Sequence, residues 1–284
     1  MPYLGLLFNA LAWGLSWWPL RHLQALGLHP LWATLLFFLL GGVIVGLTRP
    51  QAWGFVWRTP ALWVLALAAG ATNAAFNWGV STGEVVRVVL LFYLMPLWAV
   101  GLARWLLGER ITRMAIARVG LALCGALLVL RPVEGGWPTF SGLSDWLGLL
   151  GGMGFALTNV MLRRQAAQTA SARALAMFLG GVTLPAVIGI VLASQGVIPN
   201  WPALAWAWVW PALALGALFF VSNLAMQYGA SRVPVHITSV VMLTEVVFAA
   251  GSAVWLGGEV LRPPVLAGGA LIMVAALLAT RDEA

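Results

Sequence analysis

The chain has 284 residues, of which 62% are hydrophobic and 8% charged, and its mean hydropathy is +0.96. Soluble domains carry about a quarter charged residues, so this composition excludes an ordinary soluble protein and predicts an integral membrane protein. The net charge of +7 comes from arginine without any lysine, and the arginines separate apolar runs. That pattern indicates membrane topology and no nucleic-acid partner.

Apolar runs bounded by Gly, Pro and Arg predict ten membrane-spanning helices, because about 20 apolar residues cross the hydrocarbon layer. The first run lacks a basic start and is followed by similar runs, so we interpret it as a membrane helix and not as a signal peptide. The predicted spans are Tyr3–Leu20, Pro30–Leu47, Ala61–Val80, Val85–Leu107, Met114–Leu130, Asp145–Leu162, Ala172–Ser194, Ala203–Tyr228, Pro234–Leu256 and Pro263–Thr280.

The arginines predict the orientation of these spans. Ten spans place both termini on one side of the membrane, and eleven of the fifteen arginines fall on that side. Arginine-rich loops are cytoplasmic, so we expect both termini in the cytoplasm. Tryptophans near predicted helix ends, including Trp17, Trp18 and Trp255, predict an aromatic belt at the membrane interface.

Similar residues recur at fixed spacings in the two halves of the chain. A shift of 150 residues places Asn73 on Asn223, the triplet 77–79 on 227–229, and Gly108-Glu109 on Gly258-Glu259. A shift of 142 places the segment 13–16 on 155–158 and Arg21 on Arg163. This predicts two five-helix repeats, at residues 1–133 and 143–281. Because five is odd, the second repeat enters the membrane inverted, an arrangement typical of secondary transporters.

Four segments carry a family resemblance: AWGLSW (12–17), YLMPLWAV (93–100), LLGERIT (106–112) and LTEVVFAAGSAVWLGGEVL (243–261). Together they resemble the drug/metabolite transporter superfamily, EamA type, over the whole chain. The resemblance implies an all-α fold of ten helices, two inverted halves around a central cavity, and export of small metabolites. The chain is most similar to bacterial aromatic amino acid exporters, which implies the bacterial inner membrane. In the family a proline often follows the glutamate of the second repeat, whereas in this chain Val246 follows Glu245.

Glu245 is the leading candidate for chemistry, because it falls in the middle of the ninth predicted span. A charged side chain at that depth costs about 3 kcal/mol on insertion scales and usually faces a cavity. The functional interpretation is a proton-coupling or substrate-amine site. The structural interpretation is a protonated or hydrogen-bonded glutamate that holds helices together.

Amide side chains form two matched ladders. Asn73 and Asn77 share one helix face, and Asn223 and Gln227 share the corresponding face in the second repeat. Amides in hydrocarbon need partners, so the ladders are either contacts between helices or a polar wall for a zwitterionic solute.

Aromatic and small hydroxyl residues follow one face of the first and sixth spans, which suits an aromatic ligand. Packing and the interfacial belt are the structural alternatives for the two tryptophans. The candidate substrate-binding residues of these faces are Trp13, Ser16, Trp17, Phe155, Thr158 and Asn159.

Four further residues complete the candidate set. Pro96 is a gating hinge or a static kink, and Tyr93 lies one turn away, where its hydroxyl can reach the cavity. Met242 lies on the face of Glu245. His236 can titrate near neutral pH and is assigned to coupling or gating, although a lone histidine there is more often a polar interface residue.

Other features are interpreted as structural. Glu109 and Glu259 each follow a glycine just before a helix, where an acid favours the helix N-terminus. Glycine pairs permit close helix packing within one chain, so we expect a monomer. Cys124 is the single cysteine, and we expect neither a disulfide nor a metal or other cofactor.

The residues therefore favour a transporter over three alternatives. A membrane-embedded enzyme needs paired acids or a His/Asp cluster, and a transporter of phosphorylated solutes needs cations in its cavity. A passive structural protein explains neither the repeats nor Glu245. We expect a secondary transporter that exports small amphipathic metabolites such as aromatic or other neutral amino acids. Drugs, nucleosides and other metabolites stay open as substrates.

Overall fold

The computed structural model describes residues 2–132, 134, 136–230, 232–233, 238 and 241–279, and this part of the chain is helical without β-strands. The helices are α1 (Pro2–Gly14), α2 (Trp17–Ala25), α3 (Pro30–Thr48), α4 (Gln51–Arg58), α5 (Pro60–Thr82), α6 (Val85–Phe92), α7 (Met95–Leu107), α8 (Arg113–Val129), α9 (Leu143–Arg164), α10 (Ala170–Ser194), α11 (Trp206–Ala230), α12 (Thr244–Gly257) and α13 (Pro263–Ala279).

Length and apolar composition identify four membrane-crossing segments among the described residues. They are Pro30–Thr48, Val85–Leu107, Ala170–Ser194 and Trp206–Met226, and α4 with α5 adds a fifth if this bent pair is one span. The other helices are shorter or more polar, so these criteria support fewer spans than the ten that the sequence predicts.

Two predicted spans are broken in the middle. The first separates into α1 and α2 at Leu15 and Ser16, and the fourth separates into α6 and α7 at Tyr93 and Leu94. Pro96 lies in the first turn of α7, where its missing N–H removes no helical hydrogen bond. The interruption of the helix therefore lies before the proline, at Tyr93 and Leu94.

Helix α4 was not predicted. It meets α5 at an angle of 98° and buries Ala52 and Val56 while Trp57 stays exposed. A short helix with one apolar face and tryptophans at its edge is typical of the membrane interface.

The contacts between the two predicted repeats involve corresponding helices of each repeat. Helix α5 packs against α9 and α10, while α11 packs against α1 and α3, and α8 and α13 pack against each other. The closest approaches use small residues: Gly180 lies against the backbone of Ala66, and Gly125 faces Gly268. Small residues allow helices in membranes to approach until their backbones touch.

The contact between α8 and α13 gives a direct test. A Cβ added at Gly125 would lie 2.6 Å from the carbonyl oxygen of Gly268, whereas one added at Gly120 meets no atom within 4 Å. We expect Gly125→Ala to lower the stability of the detergent-solubilised protein by about 1–3 kcal/mol relative to Gly120→Ala, because the added carbon overpacks the contact. Thermal unfolding measures the difference, and equal melting of the two variants would contradict this packing.

His29 precedes α3 and accepts a hydrogen bond from the Leu31 N–H through Nδ1 at 3.3 Å. Burial lowers the pKa of this imidazole from 6.5 to about 4. Because the folded pKa lies below the ordinary value, the neutral form stabilises the fold fully above pH 6.5. That stabilisation is lost progressively as pH falls towards 4.

We therefore expect the melting temperature of the wild type, relative to His29→Asn, to fall between pH 7 and pH 4.5. Asparagine also caps helices but does not titrate, so it is the matched control. A difference that is constant with pH would show that protonation of His29 does not affect stability.

Candidate functional site

Two helix ends meet in the interior at Tyr93 and Glu245. Tyr93 lies at the break between α6 and α7, and Glu245 lies in the first turn of α12. The Tyr93 hydroxyl donates a hydrogen bond to Glu245 Oε2 at 3.2 Å, and the two residues are 5% and 9% exposed. The structure thus brings the predicted acid and the predicted tyrosine into direct contact.

Helix α1 approaches this acid through Gly14. A Cβ at Gly14 would lie 2.8 Å from both the carbonyl oxygen of Glu245 and the Cβ of Phe248. Only glycine allows the two backbones to be this close. The close approach explains how the segment 13–16 comes to lie beside the start of α12.

Aromatic rings fill the space around this contact. Trp13 stacks on Phe219 with ring centroids 4.4 Å apart and meets the edge of Phe76 at 6.2 Å. Phe92 contacts Phe76 at 4.9 Å, Phe155 at 5.5 Å and Tyr93 at 5.8 Å. We call Trp13, Phe76, Phe92, Phe155 and Phe219 the aromatic cluster.

Three members of the aromatic cluster were missed by the sequence analysis. Phe76 precedes Asn77, Phe92 precedes Tyr93, and Phe219 lies one turn before Asn223, so each adjoins a candidate residue. That proximity was the available signal. Phenylalanine is so common in membrane helices that it does not by itself distinguish a site from packing.

The rings of the aromatic cluster contact one another in the interior, where the sequence predicts an open central cavity. An apolar cavity of about 400 Å³ lies elsewhere, between α3, α5, α9 and α10. Its lining includes Leu31, Trp78, Leu147 and Ile188 but none of the candidate residues. Side chains such as Leu67 and Leu150 leave it open towards the exposed surface.

The amide ladders divide into two kinds of contact. Asn77 is fully buried and its Nδ2 donates to Thr34 Oγ1 on α3 at 2.9 Å, which is a contact between helices. Asn73 and Asn223 each donate to the carbonyl oxygen four residues earlier in their own helix, at 2.8 Å. The side chain of Gln227 lies outside the described residues.

The remaining candidates differ in burial. Trp17 is 2% exposed and its Nε1 donates to Ser252 Oγ at 2.9 Å, so its expected place in the interfacial belt is wrong. Ser16 and Thr158 are buried and donate to carbonyl oxygens of their own segments. Met242 is half-buried, Pro96 is buried, and Asn159 is exposed. His236 lies outside the described residues.

A buried ion pair near the ends of α6 and α9 was also missed. Arg87 donates two 2.8 Å hydrogen bonds to the carboxylate of Asp145, and further ones to the carbonyl oxygens of Val129 and Thr139. Asp145 also accepts from the backbone and hydroxyl of Ser141. Pairing between residues 58 positions apart leaves no local pattern in the sequence.

The prediction that Glu259 interacts with the N-terminus of the helix that follows it is wrong. Instead of capping the helix that follows it, Glu259 accepts from the N–H groups of Val85 and Val86 at 2.7 and 3.3 Å, at the start of α6. Glu109 forms an ion pair with Arg163, with 2.9 Å between Oε1 and Nη2. Both acids therefore connect the two predicted repeats.

Comparison with known proteins identifies the family. The EamA-like transporter family model matches residues 1–131 and again residues 142–281. The chain belongs to the EamA-like transporter family. It is therefore a membrane transporter of small molecules, and the helical fold and its apolar segments agree with this assignment.

Three individual proteins share 21–28% sequence identity with this chain. An uncharacterised transporter of Archaeoglobus fulgidus is 26% identical over 77% of this chain and 75% of its own length. Protein RarD of Streptomyces exfoliatus is 28% identical over 95% of this chain and 85% of its own length. A protein of known crystal structure shares the fold, with a TM-score of 0.61 and 21% identity over 99% of this chain and 96% of the other.

The buried ion pair predicts a large stability difference. Asp145→Asn leaves the Arg87 guanidinium buried without its counter-charge, and breaking such pairs costs about 3–5 kcal/mol. We expect a marked fall in melting temperature. The matched control is Glu109→Gln, because its pair with Arg163 is exposed and exposed pairs contribute only about 0–1 kcal/mol. Similar melting of both variants would contradict the structural role of Asp145.

Proposed function

We propose that this transporter exports aromatic or other neutral amino acids by alternating access, with Glu245 as the group that binds the substrate amine or couples a proton. One observation carries the proposal: Glu245 is buried against the Tyr93 hydroxyl at the edge of the aromatic cluster. A buried acid in a membrane protein is most often functional. The aromatic cluster supplies the apolar surface that an aromatic side chain needs.

The chemistry of the site matches an amphipathic cation or zwitterion. A carboxylate in an apolar interior is costly unless donors surround it, and Tyr93 supplies one donor to Glu245. The ammonium group of a bound amino acid supplies the other hydrogen-bond donors to Glu245. Its aromatic side chain takes the position of one ring of the aromatic cluster. Opening a route to the site requires Trp13 and Phe219 to separate, because they are stacked in the closed arrangement.

Several features support two inverted halves at residues 1–133 and 143–281. Helices α8 and α13 have equal length and are 150 residues apart. Gly108 and Gly258 both end helices with left-handed backbone, at φ of 72° and 66°. The reciprocal packing of α5 and α11, together with the two matches of the family model, favours the same interpretation.

The remaining topology is part of the proposal. The arginine distribution favours ten spans with both termini in the cytoplasm of a bacterial inner membrane. Pro96 and His236 are proposed to contribute to gating or coupling. We propose a monomer as the transporting unit, in the lipid bilayer and without nucleic acid or cofactor.

Phosphorylated solutes are a poor match for the described interior. Two arginines are buried among the described residues, and both donate to protein partners. Arg87 donates to Asp145, Val129 and Thr139, and Arg118 donates to the Leu278 carbonyl oxygen. Phosphate recognition needs available guanidinium or ammonium donors. This favours a neutral or cationic solute over a sugar phosphate.

Counterflow in proteoliposomes tests the substrate class, with aromatic amino acids, small neutral amino acids, nucleosides and cationic drugs as probes. We expect exchange of aromatic amino acids in the wild type and roughly 10- to 100-fold weaker apparent affinity in Glu245→Gln, because hydrogen bonds to charged groups contribute about 1.5–3 kcal/mol. Its dependence on a pH gradient should also disappear if Glu245 carries the coupled proton.

Matched controls separate the site from general damage. Glu134→Gln is the control for Glu245→Gln, because it removes an exposed acid. Trp18→Ala is the control for Trp13→Ala, because it removes an exposed tryptophan whereas Trp13→Ala removes one from the aromatic cluster. The controls should transport as the wild type does. Wild-type exchange and pH response in Glu245→Gln would overturn the role of the acid, and exchange of nucleosides or drugs alone would overturn the substrate class.

A further inference from the structure

Two ion pairs join the predicted halves of the chain at equivalent positions. Arg21 Nη2 lies 3.7 Å from Glu259 Oε1, and Arg163 Nη2 lies 2.9 Å from Glu109 Oε1. Arg21 corresponds to Arg163 at the 142-residue shift, and Glu109 corresponds to Glu259 at the 150-residue shift. Each pair therefore connects the end of the first predicted span of one half to the turn after the fourth span of the other.

The backbone around both glutamates is the same. Gly108 and Gly258 have left-handed φ angles of 72° and 66°, and the following glutamate N–H donates to Ala103 or Ala253 at 3.3 or 3.1 Å. In both turns this backbone geometry places the glutamate side chain against the opposite half of the chain. This repetition argues against two unrelated surface contacts.

The Arg21–Glu259 pair is the better shielded of the two and has more hydrogen bonds to the backbone, although its N–O distance of 3.7 Å is longer than the 2.9 Å of the other pair. Its side chains are 32% and 15% exposed, against 61% and 41% for Arg163 and Glu109. Arg21 also donates to the Gly83 carbonyl oxygen at 2.5 Å, and Glu259 accepts from the first N–H groups of α6. Shielding from solvent strengthens an ion pair, and the additional hydrogen bonds fix its geometry.

The Arg21–Glu259 pair is also connected to the candidate site. The Arg21 guanidinium lies 4.8 Å from the centre of the Trp17 ring, and Trp17 donates to Ser252 on α12. Helix α12 begins beside Glu245 and ends just before Glu259. A movement of α12 therefore acts on the buried acid at one end and on the ion pair at the other.

We propose that these two ion pairs are the matched closures of the two membrane faces, and that the Arg21–Glu259 pair sets the resting state by holding its face shut. The inference rests on the proposed alternating access, because inversion of the second half places the two pairs at opposite faces. Arg21, Glu259, Arg163 and Glu109 are then positioning residues, which act through the positions of the helices that they join. Opening either face requires one pair to separate.

Spin-label distances in lipid nanodiscs test the inference without a substrate. In a Cys124→Ser background, one label pair at His22→Cys and Val260→Cys reports the Arg21 face. A second label pair at Arg164→Cys and Arg110→Cys reports the Arg163 face. All four positions are exposed, and they correspond to one another by the same two sequence shifts. Gel filtration and circular dichroism select the variants that are folded.

We expect Glu259→Gln to add a longer-distance population to the His22/Val260 pair, because glutamine keeps one oxygen for the Val85 N–H but loses the charge and the second acceptor. Arg21→Gln should do the same. Glu109→Gln should lengthen only the Arg164/Arg110 distance, and a charge exchange of Arg163→Glu with Glu109→Arg should restore it.

Unchanged distances in folded Glu259→Gln and Arg21→Gln would overturn the inference, as would equal lengthening at both faces in every variant. The outcome is independent of the substrate assignment. Absence of amino acid counterflow in a protein with the expected distance shifts would overturn the substrate proposal and leave the ion-pair closures standing.

Discussion

The hydrocarbon layer offers no water to a polar group, and this constraint governs where the backbone of this protein can be irregular. The chain is interrupted at Ser16 and at Tyr93–Leu94, and α12 begins at Thr244. Two of these places meet at Tyr93 and Glu245 in the interior, where other helices surround them. Irregular backbone leaves N–H and C=O groups without helical partners, so it is tolerated only where protein covers it. The same covering makes the position suitable for a buried acid, and the break and the acid consequently occupy one site.

The interior and the ends of the helices are held together by different forces. Within the membrane the contacts are mostly backbone against small residues, as at Gly180 and Gly125, and ring against ring in the aromatic cluster. Such contacts are individually weak and can be exchanged for similar ones. Near the helix ends the contacts are charged and directional, as in Arg87 with Asp145. Helices joined this way can change their spacing in the middle once an end contact is released, which is the mechanical requirement of alternating access.

The apolar runs predicted the long helices closely, because the length of a span is fixed by the thickness of the bilayer. The prediction Pro30–Leu47 became α3 at Pro30–Thr48, and Ala172–Ser194 became α10 at Ala170–Ser194. Composition does not record where a helix is interrupted when neighbouring helices satisfy the break, so α1 and α2 were predicted as one span. Tyr93 and Glu245 were each predicted to face the cavity, but their contact was not predicted. It depends on distant pairing, as do the contacts of Trp17 with Ser252 and of Arg87 with Asp145. A list of apolar and aromatic residues does not distinguish rings that line a cavity from rings that pack against one another, as Trp13 and Phe219 do.

The two proposed halves differ at the residues of the candidate site. At the 150-residue shift Glu245 corresponds to Met95, and Tyr93 corresponds to Leu243, so the acid exists in one half and its hydroxyl partner in the other. An exact inverted repeat would give its two end states equal energy, because a two-fold rotation about an axis in the membrane plane would convert each into the other. The Glu245 carboxylate, which has no counterpart in the other half, and the unequal burial of the two ion pairs remove that equality. The repeated fold then supplies the two states, and the few residues that differ between the repeats decide which state is preferred and which solute changes the preference.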